Sequence, residues 1–147
     1  MRSLLPVLFM TLLVTSPLRA AAPVRDALIV PGLRAGAIAL GMTAAELNEA
    51  VGAAPQTQRQ GTTTIYTWGD VAAEISDGAP GVDLIAVNDA RYETVGHLRV
   101  GLAALTVTAV LGQPNKSSNA QGIITLDYDG LTVVVRNALV AQIRVRK

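Results

Sequence analysis

Cysteine is absent from the 147 residues. Its absence excludes disulfides, thiolate metal centres and a lipid-bearing cysteine behind an export signal. Aromatic residues are scarce, at 3% of the chain. They are Phe9, Tyr66, Trp68, Tyr92 and Tyr128. The core must therefore be built from Val, Ile, Leu and Ala, which suits sheets and short helices better than a large ligand pocket. There is one histidine, His97. A lone histidine cannot make a standard zinc site without several carboxylates. As a general base it would need a nucleophile and an orienting acid, and no spacing supplies them. His97 reads as an exposed or half-buried residue of a short strand. Phosphate-binding loops and nucleophile elbows are also missing. The chain therefore reads as a non-enzyme without a cofactor.

An excess of charge is lacking as well. The net charge is +1, from twelve basic and eleven acidic residues. Arg2 and Arg19 fall in an N-terminal segment that reads as a secretory signal. Arg2 is its positive end, and Leu4 to Val14 is its apolar run. Thr15 to Ala22, with Pro17 and small residues, is its cleavage region. A membrane-spanning helix needs about 20 apolar residues, and Pro6, Ser16, Pro17 and Arg19 leave too few. Removal of residues 1–20 takes two bases and no acid, so the exported chain carries net −1. Neither nucleic acid nor a membrane surface is a suitable partner for that balance. The expected location is periplasmic or secreted, with no stable membrane anchor after cleavage.

Half the residues are hydrophobic, enough to bury a core in one domain or in two small units that share one. The pattern repeats at a spacing of about sixty. Gly36, Ile38, Leu40 and Gly41 lie over Gly96, Leu98, Val100 and Gly101. Gly52 lies over Gly112, and Trp68 over Tyr128. Residues 21–35 read as a linker, 36–89 as repeat 1 and 90–147 as repeat 2. Each copy predicts a short strand ending at Leu40 or Val100, then a short helix. Thr43 and Glu46 make a capping box for the first helix. Gly52 and Pro55 end it. The second, roughly 103–111, is rich in β-branched residues and weaker by propensity.

Three strands follow in each copy. They are about 63–68, 71–76 and 82–87, then 123–128, 131–136 and 140–145. Gly69-Asp70, Asp129-Gly130 and Asn137-Ala138 are tight turns between them. Connections this short require antiparallel meanders. The expected fold class is α+β: two tandem repeats, each a short strand, a short helix and a three-stranded antiparallel meander, with the helices packed on one sheet face.

Alternation assigns the faces. Tyr66, Trp68, Val71, Ala73, Ile75, Ile85 and Val87, with their counterparts in the second copy, should face inward. Trp68 and Tyr128 then read as core anchors. The opposite face of the second copy is polar and basic, with Asp127, Arg136, Gln142 and Arg144. In the first copy it is unusually apolar, centred on Ile65, Ala72, Leu84 and Ala86. An exposed apolar patch marks an interface, so these four are the candidate partner-binding residues. The alternative is that the two copies, or residues 22–34, cover them. Asp83 and Asp89 flank a strand and read as ordinary solvated residues. Asp127 to Gly130 reads as a strand end and hairpin rather than a calcium loop.

The run Gly-Met-Thr-x-x-Glu-Leu-x-x-x-Val-Gly-x-x-Pro from Gly41 to Pro55, followed by a hairpin with an aromatic strand end, resembles a known superfamily. It is similar to the small domain of SmpA/OmlA-type outer-membrane assembly lipoproteins and of tandem-repeat β-lactamase inhibitor proteins. The likeness covers most of residues 36–145. It implies a binding protein of the bacterial envelope with an envelope protein as partner. The lipoproteins' anchoring cysteine and the inhibitors' disulfides have no counterpart here. No inhibitory contact residue is matched. Inhibition of a periplasmic hydrolase through the polar loops 56–62 and 115–121 is the second reading, a hydrolase using His97 ranks last, and association with a second copy is open beside them.

Overall fold

The computed structural model describes residues 26–147; the expected signal peptide and residues 21–25 of the linker lie outside them. The sheet is built from its hairpins outward. Strand β5 (Thr63–Trp68) turns through Gly69-Asp70 into β6 (Val71–Ser76), and β10 (Ile123–Tyr128) turns through Asp129-Gly130 into β11 (Leu131–Arg136). Gly69 has φ 59° and Gly130 φ 73°, the left-handed geometry that two-residue hairpins demand. Strand β7 (Leu84–Val87) pairs with β6, and β12 (Leu139–Arg146) with β11.

Two further strands lie outside these: β4 (Gln56–Gln60) pairs with β5, and β9 (Lys116–Ala120) with β10. Antiparallel pairing of β7 with β12 joins both halves into one eight-stranded sheet. Its order is β4-β5-β6-β7-β12-β11-β10-β9.

The register carries the apolar series straight across. Tyr66, Ala73, Ile85, Val145, Leu131 and Tyr128 form one row of the inner face. Trp68, Val71, Val87, Ile143, Val133 and Leu126 form the next. Most of these side chains are fully buried in one core cluster. Trp68 donates from Nε1 to the carbonyl of Gly52 at 3.1 Å, and Tyr128 donates from its hydroxyl to the carbonyl of Gly112 at 3.1 Å. Both rings thus tie a sheet strand to the end of the preceding helix. Trp68 is 5% exposed, as a core anchor should be.

A second sheet of four short strands joins the same core. Its strands are β1 (Leu28–Val30), β2 (Arg34–Ala35), β3 (Ile38–Ala39) and β8 (Glu93–Thr94), in the order β3-β2-β1-β8. It contributes Ile29, Ala35 and Ile38, with Leu98 from the segment after β8. Residues 26–35, read from sequence as linker, therefore supply two of its strands.

Helix α1 (Ala44–Val51) has the expected capping box. The Glu46 N–H donates to Thr43 Oγ1 at 3.3 Å, and the Thr43 N–H to Glu46 Oε2 at 2.7 Å. Helix α2 (Ala104–Leu111) has no side-chain cap. The first buries Leu47 and Val51, the second only Val107.

These proportions correct the expected fold class. Strands hold 47% of the described residues and helices 13%. The protein is mostly β, with two sheets, rather than an α+β arrangement of two three-stranded units each roofed by a helix. The physical reason is helix length. Eight residues make about two turns, too little surface to cover a sheet face. The small sheet covers much of it instead. Among the described residues no helix is long and apolar enough to cross a membrane.

Candidate functional site

The outer face of the large sheet is the surface opposite the core. Cross-strand register brings Ile65, Glu74 and Leu84 into one row, continued by Arg146. The adjacent row runs Thr67, Ala72, Ala86, Arg144, Thr132 and Asp127. The four residues singled out from sequence therefore come together, grouped around Glu74. Ile65, Ala72 and Leu84 are half-buried. Ala86 is only 8% exposed, because a short side chain sits beside the longer Arg144. It contributes the floor of the patch rather than its rim.

Glu74 is the centre that sequence phasing did not single out. Strand β7 enters with a bulge there: the Asp83 N–H donates to the Glu74 carbonyl at 3.0 Å, while Leu84 is the residue paired with Glu74. Asp83 and Leu84 thus both lie opposite Glu74. Asp83 is not an ordinary solvated residue, since its Oδ1 is buried without a hydrogen-bond partner. Asp89 is not one either. It is 9% exposed and accepts from Arg91 Nε at 3.0 Å and Nη2 at 2.6 Å. That guanidinium holds the Asp89 carboxyl below the usual carboxylate range.

Glu74 shows the opposite effect. Burial pushes its carboxyl above the usual range, Arg144 pulls it back, and Asp83 pushes it further up. Glu74 is in no ion pair among the described residues. A raised pKa in the folded state means the folded chain holds that proton more tightly than the unfolded one. The stability this contributes is full at acid pH and is lost as pH rises from the unfolded value through the folded one. For the single chain at high dilution, Glu74→Gln is therefore expected to raise the melting temperature at neutral pH and leave it unchanged in strong acid. Thermal melts at both pH values check this, and an equal shift at both would refute it.

The second half of the face is basic and tall. Arg136, Arg144, Arg146 and Lys116 stand on it by strand parity. Arg146 Nη2 donates to Asp127 Oδ1 at 2.9 Å, and Thr132 Oγ1 to the same oxygen at 2.7 Å. Arg144 Nε donates to Gln142, and Gln142 Nε2 to Asn88 Oδ1 at 2.9 Å. Thr132 and Val134, set among these long side chains, are buried.

Other candidates disperse. His97 sits in a turn with φ 64° rather than on a strand, exposed, its Nδ1 3.1 Å from Glu93 Oε1. Asp127 and Asp129 belong to β10 and its hairpin. The polar segments 56–62 and 115–121 are largely the edge strands β4 and β9 rather than loops. Among the described residues no three His, Asp or Glu side chains come together as a metal site. A cleft of about 420 Å³ between α1 and the Tyr66–Trp68 pair is lined without a carboxylate, histidine, lysine or arginine.

The fold defines a mostly-β protein in which one long twisted sheet is backed by a smaller one, with a charged outer face. Solved structures share that architecture. A DUF4309 family protein, YjgB from Bacillus subtilis, matches with TM-score 0.56 at 14% identity, over 78% of this chain and 87% of that one. An extracellular protein containing an SCP domain, from Bacillus anthracis, matches with TM-score 0.54 at 8% identity. That match covers 74% of this chain and 44% of the other. At these identities the likeness concerns the fold. No family model and no curated protein matches the chain.

Proposed function

We propose that this chain is an exported, non-enzymatic binding protein whose contact surface is the outer face of the eight-stranded sheet. One observation carries the reading. The inner face is filled by core, while the outer face holds Ile65, Ala72 and Leu84 around a half-buried Glu74 that has no ion pair among the described residues, beside a buried Asp83 oxygen with no hydrogen-bond partner among them. Isolated folded chains rarely keep such groups unsatisfied without a reason. A partner laid on the face would remove the apolar surface from water and offer a donor to the half-buried Glu74 carboxylate. Export is supported by the N-terminal segment and by the extracellular nature of the SCP-domain protein that shares the fold. The envelope superfamily resembled by residues 41–55 points to the same compartment, periplasmic or secreted.

The test places a photo-reactive amino acid at position 65 or 84 of the full chain in cells, and at exposed position 49 on α1 as control. Adducts are expected from 65 and 84 and not from 49. Leu84→Arg should remove the adduct at 65 while the chain melts as before. Absence of any adduct from the face would overturn the reading. So would an early melt of Leu84→Arg, since the patch would then be core.

A further inference from the structure

We infer that the occupant of this face is a second copy of the chain, laid sheet to sheet about a two-fold axis that runs along the strands. The inference rests on the reading that the outer face is the contact surface, and it names the partner.

Charge is the first argument. The face is divided at the β7–β12 junction. On one side stand Glu74 and Asp83; on the other stand Arg136, Arg144, Arg146 and Lys116, with Asp127 already occupied by Arg146. A two-fold axis along the strands turns the acidic half of each copy onto the basic half of the other. An axis across the strands would set acid on acid and base on base, which opposes association. Electrostatics therefore selects one axis. The resulting contact is isologous: each copy offers the same surface, and every acid–base meeting occurs twice.

Relief is the second argument. The acidic half is low around Glu74, because Thr67, Ala72, Ser76 and Ala86 have short side chains. The basic half is high, because Gln142, Arg144 and Arg146 are long. Turned onto one another, the high half fills the low half. Arg144 of one copy then reaches the shallow ground around Glu74 of the other and offers donors to that half-buried carboxylate. Aligned packing of this kind sets the sheets about 10 Å apart with strands about 30° from parallel.

Area is the third. Eight strands at about 4.8 Å spacing, each about six residues long at about 3.3 Å, give roughly 750 Å² per copy. A stable interface buries about 800 Å² on each partner.

The experiment uses the mature chain in sedimentation velocity and light scattering at low salt. The native chain is expected at twice the chain mass, with the dimer weakening as salt screens its charges. Glu74→Arg sets a guanidinium against Arg144 of the other copy, and Arg144→Glu sets a carboxylate against its Glu74. Each variant alone is expected at single-chain mass, with dimerisation weakened at least tenfold. An equimolar mixture of the two places like charges apart and opposite charges together, and is expected to return to double mass. Where Glu74→Arg melts early, the milder Glu74→Gln is expected to weaken the dimer, and an unchanged dimer overturns the inference. A monomeric native chain at high micromolar concentration overturns it, as does a monomeric mixture of variants that melt normally. The photo-adducts separate the two levels. Adducts whose mass differs from a doubled chain sink this inference and leave the binding reading standing; no adducts at all sink both.

Discussion

Gly81→Ala is expected to destabilise the fold by about 3 kcal/mol and lower the melting temperature by roughly 10 °C. Gly81 is buried where the chain between β6 and β7 passes over the turn that opens α1. Two backbone bonds clip the crossing together. The Gly41 N–H donates to the Val82 carbonyl at 2.7 Å, and the Val82 N–H to the Met42 carbonyl at 2.8 Å. A methyl group on Gly81 would enter the backbone of Gly41 and its carbonyl oxygen, and would crowd the Met42 oxygen at 2.5 Å. Backbone cannot swing aside as a lysine tip can. Relief requires breaking one or both bonds and leaving buried carbonyls unsatisfied, at about 1–3 kcal/mol for each group.

The other half supplies the control. There the Gly101 N–H donates to the Val140 carbonyl and the Val140 N–H to the Leu102 carbonyl, both at 2.8 Å. The residue in the place of Gly81 is Leu139, 48% exposed. The tight Asn137-Ala138 turn, with both residues at positive φ, brings the strand in so that this side chain points outward. Leu139→Ala is therefore expected to move the melting temperature by only a degree or two on the scale of surface substitutions, about 0.5 kcal/mol. Circular dichroism melts measure both. A Gly81→Ala melt within a degree of the native chain would show that the crossing is loose.

Strands β5, β6, β10 and β11 follow from alternation of large apolar and polar residues, and their turns follow from Gly and Asp. The edge strands β4 and β9 could not be seen that way. Gln56 to Gln60 and Lys116 to Ala120 are exposed at every position, so burial imposes no alternation on them. The small sheet escaped because strands of two or three residues hold no period. Its existence depends on Ile29, Ala35 and Ile38 finding the core, which is a tertiary fact. On the candidate site, strand parity was enough to group Ile65, Ala72, Leu84 and Ala86. It could not reveal the bulge at Asp83, which depends on one N–H choosing the Glu74 carbonyl. Without the bulge, Asp83 would point to the opposite face. Parity sets Glu74 on this face, but the place of Asp83 beside it was invisible for that reason, and so was the burial of Ala86 beside Arg144.

Trp68→Ala is expected to cost about 4 kcal/mol, within the range for a buried aromatic truncated to alanine. Three losses add. The ring is almost wholly buried, so its removal leaves a cavity between α1 and the sheet. Its stacked contact with Tyr66, 6.4 Å between centroids, disappears. Its Nε1–H no longer reaches the Gly52 carbonyl, which frees the end of α1. Tyr128→Ala should cost less, about 2 kcal/mol, since more of that ring is already in water and the transfer loss scales with buried area. The Gly112 carbonyl loses the same kind of bond. Tyr128→Phe isolates that bond at about 1 kcal/mol, with the ring left in place. Its phenol is held above the usual tyrosine range by burial, so the donor is present throughout neutral pH. Urea unfolding of the three variants, with slopes compared as well as midpoints, gives the order. Were Tyr128→Ala the more damaging of the two truncations, α2 rather than α1 would be the helix that its aromatic strand end secures. The capping box at Thr43 and the two buried side chains of α1 argue the other way, because they make α1 the helix that loses most when its tether to the sheet is cut.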